Sequence, residues 1–171
     1  MNFKQLGISN DLVNTLNQMG IKNPTPIQEE AIPLIINKKD IIAQSQTGTG
    51  KTFAFLLPMF ENINPKDNSI QGLIITPTRE LAIQISEAAQ KLNETKNLNI
   101  LAAYGGKDIK SQLNKLKRNI HLVIATPGRL LDHLDRDSIN LSKLKTLVID
   151  EADQMLLMGF KNEMEAIIKE T

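Results

Sequence analysis

The sequence predicts an α/β fold: a mainly parallel sheet with helices on both faces. Three observations carry that reading. Short apolar runs recur along the chain, as at 72–76, 121–125 and 145–149, and alternate with longer stretches whose apolar residues fall at helical spacing. These runs are apolar at successive positions rather than alternate ones, as strands covered on both faces are. Each run ends abruptly in Gly, Pro, Thr or an acidic pair, the punctuation of a strand that gives way to a loop and a helix.

Composition narrows the class further. At 171 residues, 41% hydrophobic and 23% charged, the chain fits one globular domain over residues 1–171 with an ordinary core. The net charge of +1 makes no global demand for nucleic acid, so any basic site must be local. Without cysteine, disulfides and thiolate zinc sites are excluded, which fits a reducing compartment. The start, Met1-Asn2-Phe3-Lys4, has no apolar leader, and no apolar run approaches spanning length. The expectation is a soluble, cytoplasmic protein with no membrane partner. His121 and His133 have no ligand-like spacing, which argues against a metal role.

Taken in order, Ser9 is a candidate N-cap for a helix over 9–19 carrying Leu12, Leu16 and Met19, which should stop at Gly20. Two prolines in Asn23-Pro24-Thr25-Pro26 set an extended turn before a helix from about Pro26 to Asn37, with Ile27, Ala31, Leu34 and Ile35 toward the core. Asp40-Ile41-Ile42-Ala43 reads as a first strand, reaching residue 44. Phe53–Leu57 reads as a buried helix, and 62–69 as an exposed loop. Further strands are expected at 72–76, 99–104, 121–125 and 145–149. Helices are expected at 79–93, 107–118, 130–134 and 160–169.

The densest chemistry lies at Ser45-Gln46-Thr47-Gly48-Thr49-Gly50-Lys51-Thr52, between an expected strand and an expected helix. Glycines there let backbone N–H groups turn toward anionic oxygens, and the helix N-terminus adds the positive end of its dipole. Lys51 can reach β/γ-phosphates while the Thr52 hydroxyl ligates Mg²⁺. The position five before Gly50 is Ser45 rather than the usual glycine.

Other unusual tetrapeptides also close expected strands: Pro77-Thr78-Arg79-Glu80, Gly105-Gly106, Thr126-Pro127-Gly128-Arg129 and Asp150-Glu151-Ala152-Asp153. Ligands collect at the carboxyl ends of strands in such sheets. Adjacent carboxylates at Asp150 and Glu151 repel unless a cation or solvent receives them, and a Mg²⁺ carried by nucleotide phosphates meets that need. Asp150 would hold the ion through water, and Glu151 would deprotonate the attacking water.

In order and spacing, these segments, together with Gly20-Ile21-Lys22-Asn23-Pro24-Thr25-Pro26-Ile27-Gln28, resemble the DEAD-box ATP-dependent RNA helicases over nearly the whole chain. The resemblance implies a RecA-like P-loop domain that binds ATP and Mg²⁺. Ser45 is a small residue of the kind the family tolerates there. Gln28 is implied as the adenine reader, Phe3 as the aromatic packing on the base, and Ile21 stands in that pocket where many relatives carry an aromatic residue. Pro77, Thr78, Arg79, Gly105, Gly106, Thr126 and Arg129 match positions contacting RNA phosphates and sugars, contacts that carry no sequence information. Asp153 is implied as a coupling residue.

The family pattern continues with a Ser-Ala-Thr motif and a second RecA-like domain that supplies further arginines to the ATP site. The chain is therefore expected to be the truncated amino-terminal half of a helicase. The Ser-Ala-Thr strand is expected between the strands at 40–44 and 145–149, so those two should not pair directly. Two other readings stand beside this one: a non-helicase P-loop NTPase, and a nucleotide- or RNA-binding module without turnover.

Overall fold

A computed structural model describes all 171 residues. They form two compact units, Met1–Ile63 with Ala88–Asn97, and Asn64–Glu87 with Leu98–Thr171.

The first unit holds three helices of its own, α1 (Asn10–Gln18), α2 (Pro26–Ile36) and α3 (Lys51–Asn62), and the last turns of α4 (Arg79–Leu92). Helix α1 ends where expected. Gly20 takes φ +79°, its N–H bonds the Asn17 carbonyl at 3.0 Å, and the Ile21 N–H bonds the Leu16 carbonyl at 2.9 Å. This pair of bonds satisfies carbonyls that the helix end would otherwise leave open. Thr25 precedes α2, with Pro26 at its first position, where a missing N–H costs nothing. The buried face of α2 is Gln28, Ala31 and Ile32, whereas Leu34, expected in the core, is 45% exposed. With Gln28 facing inward, the neighbours one turn on are 31 and 32, and Leu34 falls on the opposite side. Helices α2 and α3 pack against each other.

The strand expected at 40–44 does not form. The segment has no ladder partner, and Ile42 is fully exposed. Apolar character alone does not make a strand, because each backbone N–H and C=O needs a neighbour to bond.

The second unit is built on four parallel strands, β1 (Gly72–Ile75), β2 (Ile100–Ala103), β3 (Leu122–Ala125) and β4 (Thr146–Ile149), in the order β2-β3-β1-β4. β4 pairs with β1 and with no other strand; because no strand forms at 40–44, the expected separation of 40–44 and 145–149 is not tested by this sheet. β1 and β3 lie inside the sheet and every residue in them is buried, whereas β4 is half-buried at an edge. One sheet face, formed by Leu73, Ile75, Leu101, Ala103, Val123 and Ala125, shares a core with Leu130 of α6 (Pro127–Asp135), Met155 of α7 (Ala152–Leu157), and Met164 and Ile167 of α8 (Lys161–Lys169). Helix α5 (Ile109–Leu116) packs by β2.

Register decides the rim. Ile75 stands opposite Ala125 and Ile149, and Ala103 opposite Ala125, so all four strands finish in one row. Thr76, Tyr104, Thr126 and Asp150 are therefore the first residues beyond it. Two helices differ from expectation. α6 begins at Pro127 rather than 130, because Thr126 supplies the cap position and Pro127 a preset first turn. α7, whose six residues are too few to show periodicity, was not foreseen.

Candidate functional site

In the first unit, Lys51 and Thr52 open α3, with Gly50 as its cap residue in the left-handed region at φ +92°. Gly48 is left-handed too, at φ +81°. The loop closes on itself. Ser45 Oγ and Thr49 Oγ1 share a hydrogen bond of 2.7 Å, Thr49 Oγ1 donates to the Gln46 carbonyl at 2.6 Å, and Lys51 Nζ donates to the Ser45 carbonyl at 2.9 Å. The ammonium is thus held over the loop, where an arriving phosphate could replace the carbonyl. Gln46, Thr47 and Gly48 are exposed along the loop, open to a ligand.

Gln28 is 2% exposed, and its amide is pinned from both ends. Its Oε1 accepts from the Thr25 N–H at 3.0 Å, and its Nε2 donates to the Gly50 carbonyl at 3.0 Å. Reversing the amide would set donor against donor, so its orientation is determined; one N–H and one lone pair remain for a ligand. Beside it, the buried Thr25 hydroxyl faces the Gln28 backbone in a capping box. An amide with spare capacity and a lysine at a helix start fit an anionic nucleotide. Phe3 is 2% exposed and belongs to the core with Leu6 and Ile8, rather than presenting an open face. Ile21 is half-buried beyond the end of α1.

In the second unit, the rim brings Pro77 to Arg79, Gly105, Gly106, Thr126 and Arg129 to one side of the sheet. Pro77 is buried, and Thr78 Oγ1 accepts from the Leu81 N–H at 3.2 Å, capping α4. Arg79 stacks over the Tyr104 ring, 5.4 Å from its centroid, and Lys107 Nζ lies 5.9 Å from the same centroid. Gly106, at φ +81°, leaves room for Arg79, whose Nη1 would lie 2.9 Å from a Cβ there. Arg129 Nη1 donates to the Lys107 carbonyl at 2.9 Å. Three cations from three strand ends therefore surround one turn, a local basic site on a chain of net charge +1.

The acidic end of β4 is shaped by its backbone. The Asp150 N–H donates to the Ile75 carbonyl at 2.9 Å, which fixes Asp150 directly past the sheet. Glu151 caps α7 at φ +54°, ψ +45°, a left-handed conformation that strains a glutamate and often marks a functional residue. Asp153 is exposed and accepts from the Gln154 N–H at 2.9 Å. No group of three or more His, Asp or Glu side chains could enclose a metal. A magnesium ion fits this donor set only as one that takes most of its ligands from phosphates and water.

Behind the basic turn lies a buried polar chain. Gln112 is 1% exposed, and its Nε2 donates to the Tyr104 carbonyl at 3.1 Å. Its Oε1 accepts from Arg129 Nη1 at 3.3 Å and from His133 at 2.8 Å. Because that oxygen can only accept, His133 Nε2 carries the proton; Nδ1 lies 2.9 Å from Ser138 Oγ, whose hydroxyl donates to the His133 carbonyl at 2.9 Å. Burial lowers the His133 pKa below its usual value; the Arg129 charge lowers it further, Asp132 opposes this and Arg136 adds to it. His121, also buried, is held between the Asn99 N–H and the Pro65 carbonyl. Tyr104, Lys107 and Gln112 escaped the sequence reading. The one available signal was Lys107 directly after Gly105-Gly106; a polar residue within a helical pattern, such as Gln112, gives no sign that it is buried.

The DEAD/DEAH box helicase family model matches residues 25–171. The ATP-dependent RNA helicase CshA of Listeria monocytogenes is 52% identical over 168 residues, 98% of this chain and 32% of that protein. The Bacillus subtilis DEAD-box ATP-dependent RNA helicase CshA is 49% identical over 166 residues, 97% of this chain and 34% of that one. Among solved structures, a DEAD box protein from the hyperthermophile Methanococcus jannaschii superposes with a TM-score of 0.94 at 44% identity, covering 99% of this chain and 46% of that one. Fold, motifs and these likenesses agree: the chain belongs to the DEAD/DEAH box helicase family, and its fold is the RecA-like domain of that family. It spans about a third of the length of the curated relatives it matches.

Proposed function

We propose that this chain is the amino-terminal, ATP-binding half of a cytoplasmic ATP-dependent RNA helicase that opens short duplexes locally. The observation carrying the reading is the loop that starts α3, with Gly48 and Gly50 left-handed, Lys51 and Thr52 following, and Gln28 bonded to Gly50. The loop amides and Lys51 would bind the β/γ-phosphates, and the spare hydrogen-bonding capacity of Gln28 would read adenine. Ser45 to Thr49 line the approach, with Ile21 on the apolar side of the base pocket; Phe3, buried with Leu6 and Ile8, would have to open to pack on the base. Thr52, and Asp150 through water, would ligate Mg²⁺, which when bound offsets phosphate charge. Glu151 would orient and deprotonate the attacking water, with Asp153 coupling this site to the rest of the helicase.

The rim of the second unit is the proposed RNA contact: Arg79 and Arg129 for phosphates, and the backbone of Pro77, Thr78, Gly105, Gly106 and Thr126 for phosphate and sugar. Such contacts favour RNA of any sequence and weaken with salt. A second RecA-like domain in the longer protein would complete the ATP site. The 171 residues alone would then bind nucleotide with little turnover. Unwinding of a short RNA duplex by the full-length protein tests the reading. Strand separation with ATP and none with GTP supports it; ATP hydrolysis without strand separation favours a non-helicase NTPase.

A further inference from the structure

We propose that Gln112 is a positioning residue for RNA binding, holding the Gly105-Gly106 turn and Arg129 at one fixed spacing. The inference rests on the RNA reading of that rim. The turn from Tyr104 to Lys107 is held at both ends by the same small network. Gln112 Nε2 binds the Tyr104 carbonyl at its start, and Arg129 Nη1 binds the Lys107 carbonyl at its end. Gln112 Oε1 closes the circuit by accepting from the same Nη1. Arg129 thus spends Nη1 on its supports and leaves Nε and Nη2 free to face a phosphate.

The amide of Gln112 has no slack. Both lone pairs of Oε1 are used, by Arg129 and His133, and its orientation is fixed because a reversed amide would face donors with donors. His133, wholly buried and in contact with Ser138, donates to the same oxygen. A ligand that binds two separate strand ends gains when their spacing is set beforehand, since nothing need be ordered on binding. Gln112 is buried and touches no ligand itself, so its effect passes through Arg129 and the turn.

The test measures RNA-stimulated ATPase in the full-length protein, with oligouridine as the RNA, for Gln112→Met, Gln112→Glu, Arg129→Ala and the Gln112→Met/Arg129→Ala double variant. Gln112→Met should raise the RNA concentration for half-stimulation about five- to tenfold. Both kcat at saturating RNA and the KM for ATP should stay put. Gln112→Glu keeps the acceptor for Arg129 and His133 but sets an oxygen against the Tyr104 carbonyl, so its half-stimulation should fall between the parent and Gln112→Met. In the Arg129→Ala background, Gln112→Met should add less than it costs in the parent, since only the Tyr104 contact remains to be lost. An unchanged half-stimulation for Gln112→Met, a full additive cost in the double variant, or a parallel fall in kcat would overturn the positioning role. If Arg129→Ala itself leaves half-stimulation unchanged, the RNA reading of this rim fails, and the role of Gln112 with it.

Discussion

Gln28 Nε2 donates to the Gly50 carbonyl at 3.0 Å, so the side chain that begins α2 and the residue that begins α3 are held as one piece. Gly50 has no alternative at that place. A Cβ would lie 2.5 Å from Gln28 Nε2 and 2.8 Å from Thr25 Oγ1, and φ +92° is left-handed. Gly50→Ala should destabilise the protein by about 2 kcal/mol or more and abolish ATP binding. Gly48→Ala, left-handed but with open space around it, should cost about 1 kcal/mol. Urea midpoints of the two variants check this ordering, and equal midpoints would remove the packing argument.

Glu151 pairs strain with chemistry. Its left-handed backbone at φ +54° is a conformation glycine adopts freely. Glu151→Gly should therefore raise stability by about 0.5–1 kcal/mol while ending hydrolysis, after allowance for the entropy glycine loses on folding. Glu151→Gln keeps the strain and should bind ATP normally without turning it over, whereas Lys51→Ala should lose ATP affinity. Calorimetric ATP titration beside a turnover assay separates the three.

The buried Thr76 Oγ1 has no hydrogen-bond partner. Replacing that hydroxyl with a methyl of similar shape removes an uncompensated desolvation, so Thr76→Val should stabilise the protein by about 1 kcal/mol. A thermal melt that falls on this substitution would mean the hydroxyl is bonded in solution.

His133 ties stability to pH. Its folded pKa lies below the unfolded value, first through burial and then through Arg129, so the unfolded chain takes up the proton more readily. The sign follows: above the unfolded pKa, about 6.5, both states are neutral and nothing is lost. As pH falls through that value, the unfolded state is favoured. His133→Gln should flatten the loss of stability between pH 7.5 and 5.5, read as the difference in urea midpoint from the parent at each pH. An identical slope in both proteins would contradict the assignment.

What could be read from the sequence followed from local chemistry. The strands at 72–75, 100–103, 122–125 and 146–149 and the end of α1 at Gly20 were legible because apolar runs and left-handed glycines act within a few residues. The segment 40–44 misled because its apolar run says nothing about whether a neighbouring strand exists to pair with it. Leu34 misled for a related reason: the inward face of α2 is set by Gln28 and its bond to Gly50, a tertiary contact. At the site, loop and rim residues were legible as motifs. Tyr104, Lys107 and Gln112 were not, since their roles arise only when β2, α5 and α6 bring them around one turn.

The account stands or falls on whether this is an RNA-dependent ATPase. The direct measurement is the ATP hydrolysis rate of the full-length protein with and without single-stranded RNA of two unrelated sequences, repeated with GTP. The prediction is strong stimulation by both RNAs with ATP and negligible turnover of GTP. A rate indifferent to RNA, or equal use of GTP, would contradict it.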